Sequence, residues 1–360
     1  MITINELFSG IGAQVAALKR NGVKFKIVGI SEIDKYAIKS YEAINGKTRN
    51  YGDISKAESL DYADLWTYSF PCTDISLAGK QEGLTDKTGK QTRSGLLFEV
   101  ERLLKKSVED GNQPKYMLLE NVKNLVGKKF KPEFDKWLKT LDSLGYNNYW
   151  KVLNAKDYGV PQNRERVFVV SIRKDIDTHG YTFPEPFKLE RRLKDVLEKE
   201  VDEKYYLKQD LVDTFIKRLA KREVSNTIRC GGAGSIDQKH TWDLVAEPQI
   251  KQFGNVFPTK KRDNPNTGRV YDTSGIGACL NTMGGCNREP CVLEKCNSNG
   301  VRIRKLTPKE CWRLMDFTDE EFEAAQNAGV SKTQLYKQAG NSIVVSILSV
   351  IFNNLLGEKK

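Results

Sequence analysis

No run of about eighteen apolar residues occurs in the 360-residue chain, so no membrane-spanning helix is expected. The amino end, Met1-Ile2-Thr3-Ile4-Asn5-Glu6, lacks the basic start and apolar stretch of a secretory leader. The seven cysteines are odd in number and lack the dense spacing of a disulfide scaffold. Free thiols in a reducing, cytoplasmic setting are therefore expected. There is no basic tail either. The 58 Lys and Arg exceed the 47 Asp and Glu by a formal charge of +11, and the excess is spread along the chain. That balance favours a polyanionic partner without identifying it. With 39% hydrophobic and 29% charged residues the composition is that of a soluble protein, and the length suits two domains.

What is present is a regular alternation through about residue 175. Apolar runs at Ile2–Phe8, Phe25–Ile30, Leu65–Phe70, Tyr116–Glu120, Tyr149–Leu153 and Val167–Ile172 read as strands. Gly12–Arg20, Lys35–Ile44, Leu96–Lys105 and Phe134–Leu144 read as amphipathic helices between them. This predicts an α/β fold, a Rossmann-like, doubly wound, mostly parallel sheet with helices on both faces. The pattern ends near Phe183-Pro184-Glu185-Pro186. Beyond it the chain turns polar and Gly- and Asn-rich, as in a second, smaller, irregular and β-rich domain, and helix signals return from Leu306. The expected division is 1–186, 187–300, and a segment 301–360 that returns to the first domain.

Ligands of such a sheet lie at the carboxyl ends of its strands, and four groups of residues fall there. Phe8-Ser9-Gly10-Ile11-Gly12 follows the first strand; its glycines let backbone approach a nucleotide-like ligand, though a plain tight turn needs them equally. Glu32, after the second strand, suits ribose hydroxyls, and Asp53 an adenine amino group. Phe70-Pro71-Cys72-Thr73 opens a polar, Gly-containing loop. A thiol there is placed to act as a nucleophile if positive charge or a helix dipole assists it, and otherwise is an inert small hydrophobe. Glu120 ends the run Leu118-Leu119-Glu120-Asn121-Val122, where a desolvated carboxyl shares a proton with a ring nitrogen or serves as a cap or salt bridge. In Gln162-Asn163-Arg164-Glu165-Arg166 the two arginines, at alternate positions, project together, towards a carbonyl or phosphate or into solvent.

In this order these motifs resemble the DNA (cytosine-5)-methyltransferase family of bacterial and phage type. So do Gln338-Ala339-Gly340-Asn341-Ser342 and Arg304-Lys305-Leu306-Thr307-Pro308-Lys309-Glu310 near the end of the chain. The resemblance covers about residues 1–175 and 300–356, with a variable stretch between. It implies methyl transfer from S-adenosylmethionine to carbon 5 of a cytosine flipped out of double-stranded DNA. The implied catalytic residues are Cys72, Glu120, Arg164 and Arg166. For the cofactor it implies Phe8, Gly10, Gly12, Glu32, Ile33, Asp53, Leu96, Asn341 and Ser342. Three positions depart from the family's habit: Glu6 for Asp, Ile33 for an aromatic residue, and Thr73 for Gln.

The stretch 187–300 falls where the family keeps its target-recognition domain. Arg229, Lys239, Lys260, Lys261, Arg262, Arg269 and Arg288 are its candidate DNA contacts, some positioning on phosphates and some reading bases. Cys279, Cys286, Cys291 and Cys296 are not spaced as paired C-x-x-C zinc ligands and His240 is distant, so no metal is expected. One chain carries every motif in order, so a monomer is expected, and the lack of a long apolar run leaves no membrane partner expected. A cognate restriction endonuclease would act on the same DNA site without binding the enzyme. Two other readings are a tRNA cytosine-5 methyltransferase and a catalytically silent DNA-binding regulator. Against the first, the motif around Glu120 lacks the second cysteine of many RNA enzymes and the central domain is large. Intact Cys72, Glu120 and Arg166 weigh against the second.

Overall fold

The structure is a computed structural model describing residues 1–76, 81–86, 88–225, 250–257, 268–282, 288–295 and 301–357. Six strands form the main sheet: β1 (Ile2–Leu7), β2 (Phe25–Ser31), β3 (Leu65–Tyr68), β4 (Tyr116–Val122), β5 (Tyr146–Asn154) and β7 (Glu165–Arg173). Between the last two lies a two-residue strand, β6 (Gln162–Asn163). The order in the main sheet is β2-β1-β3-β4-β7-β5. The first four run parallel, while β7 is antiparallel to both β4 and β5. The mostly parallel sheet read from the sequence is therefore present, with one reversed strand.

The near-continuous apolar runs of β3, β4 and β7 follow from burial on both faces. Leu65, Leu118, Phe168 and Val170 point into one core, with α1 (Ala13–Arg20). Trp66, Met117, Leu119, Val167 and Val169 point into the other, with α3 (Leu97–Glu109) and α4 (Lys131–Ser143). Helix α2 (Lys35–Asn45) starts at Asp34, whose side chain accepts from the amides of Tyr36 and Ala37. Strand β5 begins three residues before the Tyr149 start expected from the sequence. Tyr146-Asn147-Asn148 reads as polar, but an edge strand buries only part of its surface and tolerates asparagine.

After Phe183, tertiary packing does not follow the sequence boundaries at 186 and 300. Leu189, Leu193 and Val196 are buried, the last two in the core of the main sheet. A separate lobe is built from α5 (Gln209–Ser225), β8 (Gln252–Asn255), β9 (Arg269–Tyr271), β11 (Cys291–Lys295) and β12 (Val301–Lys305), in the sheet order β12-β11-β9-β8. Val212, Phe215, Val256, Val270, Cys291 and Ile303 form its core. Strand β10 (Gly277–Ala278) leaves this lobe and pairs with β6.

Helices α6 (Pro308–Arg313), α7 (Asp319–Asn327), α8 (Lys332–Asn341) and α9 (Val345–Leu356) then return to the main sheet, α9 packing on α1. The joint at the end of β12 is Arg304, fully buried and paired twice with Glu310 at 2.8 and 2.9 Å. Glu310 also accepts from the Thr307 amide at 2.8 Å, closing a capping box on α6. No single helix among the described residues is long and apolar enough to cross a membrane.

Candidate active site

The carboxyl ends of β3, β4 and the start of β7 meet at one point. Past Tyr68, the Phe70 carbonyl accepts from Asn121 Nδ2 at 3.0 Å, which holds the start of the Cys72 loop against β4. The Cys72 carbonyl accepts from the amides of Ile75 and Ser76 at 3.1 and 2.8 Å, folding the loop into a turn. Asp74 and Ser94 brace it reciprocally: the Asp74 amide donates to Ser94 Oγ at 3.1 Å, and the Ser94 amide to Asp74 Oδ2 at 3.2 Å. The half-buried Cys72 is thereby presented at the sheet edge.

Register brings Glu120 and Arg166 together. In the antiparallel β4–β7 pair, Phe168 lies opposite Glu120 and Arg166 opposite Val122. Arg166 is thus diagonal to Glu120 on the same face. Its Nε lies 3.2 Å from Glu120 Oε1, with both side chains largely buried. Burial raises the Glu120 carboxyl above its ordinary value against the pull of Arg166 and Arg164. Burial and the neighbouring Glu120 likewise push the Cys72 thiol up, with the two arginines opposing. In this state the thiol is held largely protonated at neutral pH.

Arg164 has a different environment. It is 3% exposed, and donates to the carbonyls of Leu280 at 3.1 Å, Gly340 at 3.1 Å and Ser342 at 2.7 Å. It ties together the main sheet, the 277–282 segment and the end of α8. Gly340 is required there, since a Cβ would lie 2.0 Å from the Asn281 carbonyl oxygen. Both arginines also reach Cys279, whose sulfur is 3.4 Å from Arg164 Nη1 and 3.8 Å from Arg166 Nη2.

At the ends of β1 and β2 lies a second crevice. Phe8, Gly10 and Gly12 all have left-handed φ, of 59°, 55° and 84°. A Cβ on Gly12 would meet Asn45 Nδ2 at 2.7 Å, whereas nothing lies within 4 Å of one on Gly10. Glu32 accepts from the amides of Gly10 at 2.9 Å and of Ile33 and Asp34 at 2.8 Å each. Asp53 follows Gly52, whose carbonyl accepts from Ser31 Oγ at 2.8 Å, so it lies beside the end of β2. Its carboxylate accepts from the Ser55 amide and hydroxyl. Ile33 is 72% exposed, and Leu96 is half-buried at the end of the short helix Ser94–Leu96. Helix α8 is fastened to α2 by Gln338, which donates to the Tyr36 carbonyl at 2.9 Å and accepts from Ser40 Oγ at 3.0 Å. Exposed Asn341 and buried Ser342 end that helix. Two carboxylates with remaining acceptor capacity, an open glycine, an exposed apolar side chain and the unpartnered buried Ser9 hydroxyl make a donor set that fits an adenosyl group.

Under the main-sheet crevice, Glu6 is fully buried and bonds the Tyr41 hydroxyl. Burial raises its pKa to about 7 against that hydrogen bond. Sequence reading missed Asp74, Ser94, Asn121 and Cys279 as parts of the site. Asn121 had a signal in its adjacency to Glu120; Cys279 had none, because its partners lie more than a hundred residues away. Of the expected DNA contacts, Arg269 and Arg288 line a cavity of about 130 Å³ with Tyr271, Cys279 and Asn281. Arg229, Lys239, Lys260, Lys261 and Arg262 lie outside the described residues, as do Cys286, Cys296 and His240. Cys291 is buried in the small lobe's core.

The chain is similar to known proteins over its whole length. A profile of the family described as C-5 cytosine-specific DNA methylase matches residues 2–357. The orphan methyltransferase M.SPBetaI of Bacillus phage SPbeta is 33% identical over 99% of this chain and 97% of its own. The type II methyltransferase M2.ScrFI of Lactococcus lactis subsp. cremoris is 34% identical over 99% of both chains. The crystal structure of the S. pombe Dnmt2 methyltransferase superposes with a TM-score of 0.64 at 18% identity, covering 99% of this chain and 98% of that one, a likeness of fold.

Proposed function

The chain belongs to the C-5 cytosine-specific DNA methylase family, and from that premise we propose that it methylates carbon 5 of a cytosine flipped out of duplex DNA, using S-adenosylmethionine. The observation that carries the reading is Cys72 beside the buried Glu120–Arg166 pair. Carbon 5 of cytosine is a poor nucleophile, and a thiolate bonded to carbon 6 makes it enamine-like. Cys72 is the group to form that bond, losing its thiol proton to solvent as the sulfur adds, and it leaves again as thiolate once the carbon-5 proton has passed to solvent. Glu120, whose carboxyl is raised above its ordinary value by burial, bonds ring nitrogen 3 and balances the charge that builds there. Arg166, fixed by Glu120, donates to the base carbonyl. Arg164 serves the reaction by holding Arg166's strand to the small lobe and to Ser342. These ring atoms are inaccessible in a stacked duplex, and flipping the base costs a few kcal/mol.

Phe8, Gly10 and Gly12 would take the methionine end of the cofactor, Glu32 the ribose, and Asp53 the adenine. Ile33 and Leu96 would line the ring, with Asn341 and Ser342 closing from α8. When bound, the cofactor supplies an electrophilic methyl group. The small lobe, about residues 206–305, is proposed to read the target sequence through the side that carries Arg269 and Arg288. One chain carries every motif, which supports a monomer; a cognate restriction endonuclease would meet it only through a shared DNA site.

The test is transfer of labelled methyl to duplex DNA, with a tRNA control and bisulfite sequencing of the product. Label at cytosines of one recurring site, reduced about 10⁴-fold or more by Cys72→Ala, is expected. Label on tRNA alone would replace DNA as the substrate, and DNA binding without label would make the chain a regulator.

A further inference from the structure

Cys279 lies outside the reaction described above, yet both arginines of the cleft touch it. It sits in the stretch by which the small lobe joins the main sheet. Gly277 and Ala278 pair with Gln162 and Asn163. The Leu280 amide donates to Gln162 Oε1 at 3.2 Å, and its carbonyl accepts from Arg164 at 3.1 Å. Backbone is thus fastened on both sides of Cys279, which fixes where its Cα lies, and the exposed side chain turns its sulfur towards the two arginines. On one side that residue faces the cavity it shares with Arg269 and Arg288. On the other its sulfur meets Arg164 Nη1 and Arg166 Nη2.

The three nitrogens of Arg166 are held unequally. Nε has Glu120 at 3.2 Å and Nη1 has the carbonyl of the adjacent Glu165 at 2.8 Å. Nη2 has the Cys279 sulfur at 3.8 Å. Of these partners only the Cys279 sulfur comes from outside strands β4 and β7, so it couples the aim of the planar fork to the small lobe. Partial desolvation raises the Cys279 thiol, but the two guanidiniums outweigh it and hold the thiol below its ordinary value. That strengthens sulfur as an acceptor for a cation.

We propose that Cys279 is a positioning residue for methyl transfer, reaching from the small lobe to hold the Arg166 guanidinium in line with Glu120 and Cys72. The proposal rests on the reading of Arg166 as the group that holds the target base. Serine keeps an acceptor at the same place, whereas alanine and valine remove it. In single-turnover methyl transfer on target duplex, Cys279→Ala and Cys279→Val should each lose about tenfold in rate, the scale of one hydrogen bond to a charged group. KM for DNA, cofactor Kd and melting temperature should stay near wild type, and Cys279→Ser should remain within about threefold. In an Arg166→Lys background, Cys279→Ala should cost nothing further, since both changes remove the same alignment. Wild-type rates in the alanine and valine variants would overturn the proposal. So would equal losses in the serine variant, a loss confined to KM or melting temperature, or additivity with Arg166→Lys. A wild-type enzyme that labels only tRNA would fail the DNA reading alone, because the same cycle can be run on tRNA.

Discussion

The crevice at β1 and β2 and the cleft at β3, β4 and β7 share one sheet edge but are built by opposite means. The crevice is made of backbone: left-handed turns at Phe8, Gly10 and Gly12, and a Glu32 carboxylate gathering three amides, all within the first 34 residues. The cleft is made of buried side chains whose charges answer one another, Glu120 with Arg166, and Arg164 with three carbonyls from distant segments. A backbone cradle keeps its shape when one side chain departs from the family's habit, as Ile33 does. A buried charge cluster does not, because each deletion leaves a partner unsatisfied in low dielectric.

That contrast can be broken or sharpened by substitution. Glu120→Gln keeps the shape of the cleft but removes its negative charge and its transferable proton. Methyl transfer measured with labelled cofactor should fall by about 10²–10³-fold, and a loss under tenfold would mean that the cleft does not depend on this charge. Arg164→Met should leave the carbonyls of Leu280, Gly340 and Ser342 without their donor. Urea unfolding should register a loss of about 3 kcal/mol; an unchanged midpoint would show that those carbonyls find other donors.

Beneath the crevice, Glu6 tests the same idea with pH. Its folded pKa, raised to about 7, means that the native state holds a proton the unfolded chain has already released. The stabilisation is fully present below the ordinary carboxyl pKa and is lost as pH rises through about 7. Glu6→Gln should therefore raise stability by about 3 kcal/mol at pH 8 and leave it unchanged near pH 4. Equal melting temperatures of the two proteins at pH 8 would refute this. The smallest effect expected is at Ile33, exposed at the crevice. Ile33→Trp should tighten S-adenosylmethionine binding about threefold in calorimetry, the scale of one added aromatic contact. A weakened affinity would place the adenine ring elsewhere.

The crevice was far more legible in the sequence than the cleft. Phe8 to Gly12 and Glu32 directly follow recognisable strands, so their place at one sheet edge could be expected from position, while the roles expected for them and for Asp53 came from the family resemblance. Cys72, Glu120 and Arg166 could be named individually, but their meeting could not, because the reversal of β7 that sets Arg166 diagonal to Glu120 leaves no trace in apolar periodicity. Arg164 and Arg166 look equivalent in Gln162-Asn163-Arg164-Glu165-Arg166. One proves to be a joint between segments and the other a cleft residue. The lobe boundary was blurred for a related reason: Leu193 and Val196 lie in a polar stretch, and what buries them is the main core.

By itself the sequence determined which segments of the first 175 residues become the main strands and helices, and which short motifs bear reactive groups, because both depend on spacings of a few residues. Only the tertiary structure decided that Cys279 meets Arg166 across 113 residues and that Arg164 reaches Ser342 across 178. Partners so far apart meet through strand order, register and the return of the C-terminal helices, which no local pattern of residues encodes.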